Sequence, residues 1–187
     1  MSSGTFGSDL DFGNEKMVNW CNAALANGYG NLAQRTLSMV QKNCDGLTPE
    51  HQQFTNDDQE IMNKARNILA ETDEHMEVQK INKYASAIIA LVREGNQYID
   101  CQEPWKLKKT DPVRMMTVLY TLMEFLRCVS IAYQPIMPSS SAKVLDQLGV
   151  PEEERMFRHL SDEEFRIKTG TALQQPQGVF PRLEAEE

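Results

Sequence analysis

The sequence has no uncharged apolar run long enough to cross a lipid bilayer. The longest such runs, for example Ala85–Val92, are far shorter than the roughly 20 residues that a spanning helix needs. The first residues, Met1–Gly7, have neither the basic nor the apolar segment of a secretory signal. We therefore expect no membrane partner.

Cysteine and histidine are scarce and scattered. The four cysteines form no Cys-x-x-Cys pair, and none of the three histidines lies at metal-ligand spacing from them. Free thiols in a reducing compartment explain this pattern better than a disulfide framework or a zinc site. The sequence also lacks a Walker loop, GxGxxG, GxSxG and HExxH. We therefore expect no metal, no cofactor and no catalytic residue.

Positive charge is in deficit. Lys and Arg number 19 against 27 Asp and Glu, which gives a formal net charge of −8. A protein that coats nucleic acid would carry a basic domain, so that class is disfavoured. The deficit does not exclude a protein that binds a few unpaired bases at one local site.

Apolar residues recur at three- and four-residue spacing along most of the chain. Ile81–Ile99 and Met116–Tyr133 each carry the buried stripe of an amphipathic helix. Asp111-Pro112 is a strong helix start, because a capping carboxylate precedes a proline at the first helical position. No repeat and no strand-like alternation is present. The sequence predicts an all-α fold, an antiparallel bundle of about five helices.

Helix boundaries follow from caps and helix breakers. Gly28 and Gly30 predict a kink in the first helix, because glycine weakens a helix interior. Thr72 or Asp73 is expected to cap the third helix, and Gln102–Thr110 is expected to be a loop. The predicted organisation is a linker at 1–14, a helical bundle at 15–150 and a C-terminal extension at 151–187.

Two segments carry chemistry suited to nucleic-acid binding. Asn31 and Arg35 lie four residues apart on one helix face and offer an amide and a planar guanidinium for base edges or phosphate. Trp105 follows a proline, and Lys106–Arg114 carries four positive charges and one negative. An indole beside positive charge is suited to stacking on an unpaired base. An ordinary amphipathic helix and a packed indole would explain the same residues.

Four runs of sequence resemble a known family. They resemble the C-terminal anticodon-binding domain of bacterial or organellar methionyl-tRNA synthetases, and the resemblance extends in order over about residues 11–183, including Val-Phe-Pro-Arg at 179–182. The runs are Asn-Leu-Ala-Gln-Arg-Thr-Leu-Ser-Met (31–39), Gln-Glu-Pro-Trp-Lys-Leu-Lys-Lys-Thr-Asp-Pro (102–112), Gln-Pro-Ile-Met-Pro (134–138) and Leu-Asp-Gln-Leu-Gly-Val-Pro (145–151).

The resemblance implies a helical bundle that recognises the CAU anticodon of methionine tRNA. It implies that Asn31, Arg35 and Trp105 contact the anticodon and that Asn27 and Asp100 support them. The family's catalytic domain has no counterpart in this sequence, so we expect no methionine activation by this chain alone. The implied partners are the anticodon loop of methionine tRNA and the catalytic domain of a parent synthetase, in a bacterial cytoplasm or an organellar matrix.

The departures from the family pattern cluster at residues 20–29. Trp20 replaces an Arg, Ala24 and Gly28 replace Asp, and Tyr29 replaces a Leu, beside Cys21. Positions 21, 24 and 28 share one helix face and could line a cavity, with Gly95 and Tyr133 facing the same region. Lineage drift is one interpretation. The alternative is an engineered scaffold whose remodelled first helix forms a small-molecule pocket, a reactive-Cys site or a grafted protein-binding surface.

Overall fold

The computed structural model describes residues 13–184. Within that range the regular structure is helical, apart from an isolated antiparallel bridge between Leu47 and Ala172. The all-α prediction is confirmed. Of the linker predicted at 1–14, residues 1–12 lie outside the described range, and Asn14 already begins the first helix.

The predicted bundle of about five helices corresponds to five long helical runs, to which two short helices are added. The first run consists of two α-helices joined without a break by a π-helical stretch, so it counts once. The helices of residues 13–184 are α1 (Asn14–Cys21), the π-helix (Asn22–Gly30), α2 (Asn31–Asn43), α3 (Asn56–Glu77), α4 (Ile81–Gln102), α5 (Pro104–Thr110), α6 (Pro112–Tyr133), α7 (Pro138–Gln147) and α8 (Arg158–Ser161), together with two 3₁₀ turns at Glu152–Glu154 and Glu163–Phe165.

Helix α6 is the centre of the bundle. It packs against α2, α3, α4, α5, α7 and α8, and every residue from 117 to 133 is buried. It is long and apolar enough to span a membrane by length and composition, but 94% of its most apolar window is buried inside the protein. A search for uncharged runs misses α6 because Glu124 and Arg127 interrupt it. These two residues are fully buried and pair with each other, so α6 is a core helix.

The first helical run passes through Gly28 and Gly30 without ending. The sequence predicts a kink there, whereas the chain widens into π-helical turns, whose hydrogen bonds span five residues. Gly30 also permits a close approach, because a Cβ atom on it would lie 3.1 Å from Cδ2 of Phe180. Gly30 therefore serves packing against the C-terminal segment, whereas the Cβ position of Gly28 faces Val92 of α4.

The predicted cap at Thr72 or Asp73 is wrong. Helix α3 continues to Glu77, and the buried Thr72 hydroxyl donates to the carbonyl of Ile68 at 2.6 Å inside the helix. The break occurs instead at Gln79, whose φ of 55° is left-handed. A threonine hydroxyl can cap a helix or bond back to the preceding turn, and burial selects the second option here.

The predicted loop at Gln102–Thr110 is also wrong, because it contains α5. Glu103, with a φ of 45°, separates α4 from α5, and Pro104 occupies the first position of α5. The predicted start of α6 is confirmed, since Asp111 Oδ1 accepts a hydrogen bond from the backbone N–H of Arg114 at 3.0 Å. Trp105 therefore lies on a short helix.

The C-terminal segment packs onto the bundle. Arg127 of α6 donates to the carbonyls of His159 and Leu160, at 2.9 and 3.2 Å. The backbone N–H of Ile167 donates to Glu124 Oε2 at 3.2 Å. Farther along, the Phe180 ring lies 5.9 Å from that of Tyr29, centre to centre. The extension thus shares a core with the helices that precede it.

Candidate nucleic-acid interface

Arg35 of α2 lies between two side chains from distant parts of the chain. Its Nη2 donates to Asp100 Oδ1 of α4 at 2.7 Å. Its guanidinium carbon lies 5.4 Å from the ring centre of Trp105 on α5, which is cation–π distance. The structure therefore brings together three of the residues that the sequence singles out.

Asn31 and Asn27 extend this surface along the same helical run. Asn31 precedes Arg35 by one turn, Asn27 precedes Asn31 by another, and both are exposed. Neither side-chain amide makes a hydrogen bond to another residue of the range 13–184, so their donors and acceptors are open to a ligand. Asn31 also borders a cleft of about 210 Å³ formed with Gln34 and the segment 178–180.

Trp105 is presented at the surface by the first turn of α5. About 41% of the residue is exposed, while the preceding Pro104 is buried against the bundle. Proline anchors the start of the short helix and fixes φ, so the next side chain projects from a defined backbone. The indole is therefore available for stacking, as expected, although it lies on a helix.

The positive charges next to Trp105 are fewer than the sequence suggests. Lys106 pairs with Glu103 at 2.7 Å, while exposed Lys108 and Lys109 have no ion pair within the described range. Arg114 is not a free cation, because its guanidinium is bound to the buried carboxylate of Asp58. The prediction of four available cations therefore reduces to three lysines, one of them paired.

The Asp58 carboxylate is a functional candidate that the sequence prediction missed. Burial alone would raise the pKa of Asp58, but hydrogen bonds from Arg114, Tyr98 and the Thr55 backbone lower this pKa below its ordinary value. The ion pair with Asp58 in turn raises the pKa of Arg114. Thr55 and Asp58 form a capping box, and that three-residue spacing was the available signal in the sequence.

The residues of the suspected remodelled pocket do not share one cavity in the described structure. Trp20 borders an apolar groove of about 200 Å³ that Tyr133 also lines, and Cys21 borders a separate recess of about 130 Å³. Tyr29 is fully buried, with its hydroxyl 2.6 Å from Ser130 Oγ. Two of the suspected residues, Ala24 and Gly28, line neither space.

Gly95, which the sequence predicts to face the cavity at residues 20–29, is packed in the core. A Cβ atom there would lie 2.5 Å from Cε1 of Phe125 and 2.9 Å from Cδ2 of Leu32. The absence of a side chain at Gly95 therefore allows α4 to approach α6 and α2.

Burial raises the pKa of the Cys128 thiol to about 12, which disfavours its thiolate. No group of three or more His, Cys, Asp or Glu side chains able to hold a metal ion occurs in residues 13–184.

Residues 48–187 match the family described as the anticodon binding domain of methionyl tRNA ligase. Methionine–tRNA ligase of Rhizobium meliloti (strain 1021) is 45% identical over 183 residues, which cover 98% of this chain and 35% of that relative. Methionine–tRNA ligase of Mesorhizobium japonicum is 45% identical over 177 residues, covering 95% of this chain and 34% of the relative. The chain thus spans about a third of the length of these relatives.

Solved structures of methionyl-tRNA synthetase from Mycobacterium tuberculosis are similar in fold. The apo form superposes with a TM-score of 0.92 at 37% identity, covering 97% of this chain and 37% of that chain. The complex with methionyl-adenylate gives a TM-score of 0.90 at 37% identity, covering 96% and 35%. None of these comparisons supports the engineered-scaffold alternative. Because the family match takes in well over half of the sequence, this chain belongs to the anticodon-binding domains of the methionyl-tRNA ligases.

Proposed function

We propose that this chain recognises the CAU anticodon of methionine tRNA through Asn31, Arg35 and Trp105. The single observation that carries the proposal is the placement of Arg35 between the indole of Trp105 and the carboxylate of Asp100. An aromatic platform, a planar guanidinium and a free amide then lie on one surface. These are the groups that hold unstacked RNA bases and hydrogen-bond to their edges.

Stacking on Trp105 supplies the base-tolerant part of the affinity. An unpaired base lies on the part of the indole that Arg35 leaves open, which is worth about 1–3 kcal/mol per base. The indole is already exposed in the free protein, so little protein surface must be uncovered before binding. Stacking alone does not distinguish one base from another, so selectivity requires the polar neighbours.

Hydrogen bonds from Asn31 and Arg35 supply the selectivity. Asp100 engages one guanidinium nitrogen of Arg35, so the remaining N–H donors are presented in a fixed orientation. Asn31 adds both a donor and an acceptor one turn away, next to the cleft with segment 178–180. We assign Asp100 the role of orienting Arg35, and Asn27 a supporting role beside Asn31.

We expect the phosphate groups of the RNA to contact one small surface of the chain, on α5. Lys106, Lys108 and Lys109 on α5 form a small positive surface in a chain whose net charge is −8. Phosphate contacts position a nucleic acid but carry no sequence information. We therefore expect a shallow dependence of affinity on salt, because few lysines release counterions.

The rest of the proposed setting follows from the relatives. Their names describe methionine–tRNA ligases of bacteria, so we place this chain with the catalytic domain of such a ligase in a bacterial cytoplasm. We expect the chain to bind tRNA but not to activate methionine, which an adenylate-formation assay on the isolated chain would check.

The test of the proposed function is a binding titration with two RNA hairpins at two salt concentrations. One hairpin carries the anticodon stem-loop of methionine tRNA with CAU, and the other differs in the anticodon alone. We expect preferential binding of the CAU hairpin, and we expect the preference to persist at the higher salt because it rests on base contacts. Equal affinities for the two hairpins, or no binding of either, would overturn the proposal.

A further inference from the structure

The helix that presents Trp105 needs tertiary contacts to hold its position. α5 has seven residues, and a helix that short is not stable by itself in water. It is joined to α4 by Glu103, which is left-handed, and to α6 by Asp111, which is not helical. Buried Pro104 and half-buried Leu107 pack α5 against the bundle, and the placement of Trp105 opposite Arg35 also depends on what fixes the adjoining ends of α4 and α6.

A single buried carboxylate fixes both ends. Asp58, at the start of α3, has no exposed surface. It accepts a hydrogen bond from the Tyr98 hydroxyl of α4 at 2.5 Å and is bound by both terminal nitrogens of Arg114 of α6, with Nη2 at 2.7 Å. The backbone N–H of Thr55 donates to it at 2.9 Å. Three helices thus meet at one charge.

The same network reaches the residue that immediately precedes the α4–α5 junction. Arg114 Nη2 donates to Gln102 Oε1 at 2.7 Å, and Gln102 is the last residue of α4. Arg114 itself lies in the first turn of α6, directly after α5. Tyr98 is two residues before Asp100, the partner of Arg35. The network therefore holds α5 from both sides and holds the turn that carries Asp100.

We propose that Asp58, Tyr98, Gln102 and Arg114, which we name the Asp58 clamp, are positioning residues for the anticodon site. They touch no RNA and act by fixing Trp105 and Asp100 relative to Arg35. The part of this proposal that concerns RNA rests on the proposed function, whereas the part that concerns the position of Trp105 does not.

The clamp has a measurable consequence for affinity. If its loss leaves the arrangement of Trp105 and Arg35 populated for about a tenth of the time, the apparent Kd rises about tenfold. Loss of the Asp58 charge would by simple electrostatics favour RNA, because the net charge changes from −8 to −7. A weakened affinity in Asp58→Asn is therefore opposite in sign to the effect of charge alone.

Glu124 offers a matched control on α6, the helix that also carries Arg114. Like Asp58, it is a fully buried carboxylate that binds two nitrogens of one arginine, here Arg127. It holds the backbone of Ile167 instead of α5. Glu124→Gln removes the same charge and breaks a comparable buried pair, so it reproduces the loss of stability without touching the Asp58 clamp.

The experiment uses the full 187-residue chain with Trp20→Phe, so that Trp105 is the one remaining indole. Acrylamide quenching of Trp105 is measured without RNA, and the Kd for the CAU hairpin is measured by titration, each at a temperature where the variant is folded. We expect Asp58→Asn to increase quenching and raise Kd about tenfold. We expect Glu124→Gln to leave both unchanged.

A milder variant covers the possibility that Asp58→Asn does not fold. Tyr98→Phe removes one donor to Asp58 and leaves the pair with Arg114, so it should give a smaller change in the same direction for both readouts. Unchanged quenching in the folded clamp variants, or equal changes in Glu124→Gln, would overturn the proposal. If the parent chain fails to bind the CAU hairpin, the proposed function falls, and quenching still decides the clamp.

Discussion

Arg35 lies over the indole of Trp105, with its guanidinium carbon 5.4 Å from the ring centre, while its Nη2 is hydrogen-bonded to Asp100. The three side chains come from three helices, so only the folded bundle creates this arrangement. It joins an exposed stacking surface to an oriented set of N–H donors. The stacking surface of Trp105 and the oriented donors of Arg35 can be tested by separate substitutions.

Removing the stacking surface should weaken binding of the CAU hairpin without affecting the fold. Trp105→Ala is expected to cost about 1–3 kcal/mol, or about 5- to 150-fold in Kd. Trp20→Ala is the matched control, because Trp20 is similarly exposed, at 38% against 41%, but borders a groove away from Arg35. Both are measured by titration. An equal loss in the two variants would contradict a specific role for Trp105.

Changing the shape of the cation at position 35 should reduce selectivity more than affinity. Arg35→Lys retains the positive charge but loses the planar set of donors that hydrogen bonds to a base edge require. We expect the ratio of Kd values for changed-anticodon and CAU hairpins to fall toward one, with a similar salt dependence. A retained ratio would mean that Arg35 contributes only charge.

Neutralising the free lysines of α5 should weaken both hairpins alike. The double variant Lys108→Gln and Lys109→Gln removes two exposed charges, so the slope of log K against log salt should become shallower by up to about two. Lys168→Gln is the control, an exposed lysine of the C-terminal segment. Loss of anticodon preference in the double variant would show that these lysines bind bases.

Adding one methyl group at Gly95 should destabilise the fold. In an exposed helix Gly→Ala stabilises by about 1 kcal/mol, but here the new Cβ would lie 2.5 Å from the Phe125 ring. Overpacking of a core costs about 1–3 kcal/mol, so we expect the free energy of unfolding to fall. Urea denaturation measures it. A more stable Gly95→Ala would contradict the packing of α4 on α6.

The Asp58 clamp should make stability depend on pH in the acid range. The pKa of Asp58 is lower in the folded chain than its ordinary value near 3.9, so the carboxylate contributes stability that is fully present above that value. This contribution is lost as pH falls through the folded-state pKa. We therefore expect Asp58→Asn to be destabilised relative to the parent at pH 7 and less so at pH 3, where part of this contribution is already lost.

Urea denaturation at the two pH values checks this prediction. The parent should lose more stability than Asp58→Asn between pH 7 and pH 3, because only the parent protonates at this position. A constant difference between the two proteins would show that the carboxylate charge is not what Arg114 and Tyr98 stabilise.

The sequence predicts those features that depend on neighbouring residues. Asp111 and Pro112 specify the start of α6 locally, and apolar spacing identifies the long helices. Thr72 is different, because a threonine can cap a helix or bond back within it, and only its burial decides. The sequence predicts a loop in place of α5, because seven residues show too little periodicity. Packing of Pro104 and Leu107 on the bundle stabilises this short helix.

The predicted site shows the same division between features set by neighbouring residues and features set by tertiary contacts. Helix spacing predicts that Asn31 and Arg35 lie on one face. The chemistry of the indole and the family resemblance add Trp105 to the predicted site. The sequence predicts Arg114 as a phosphate-binding cation because its charge is visible there, whereas the buried Asp58 that pairs with it is far away along the chain. Long-range partners decide whether a charge is available, and local sequence does not identify them.

The central claim is that a base of the CAU anticodon stacks on Trp105. The most direct measurement is the emission of Trp105 in the Trp20→Phe chain during titration with the CAU hairpin. We predict saturable quenching by this hairpin, with much weaker quenching by the hairpin with a changed anticodon at the same concentrations. Binding of the CAU hairpin with unchanged Trp105 emission would contradict the claim.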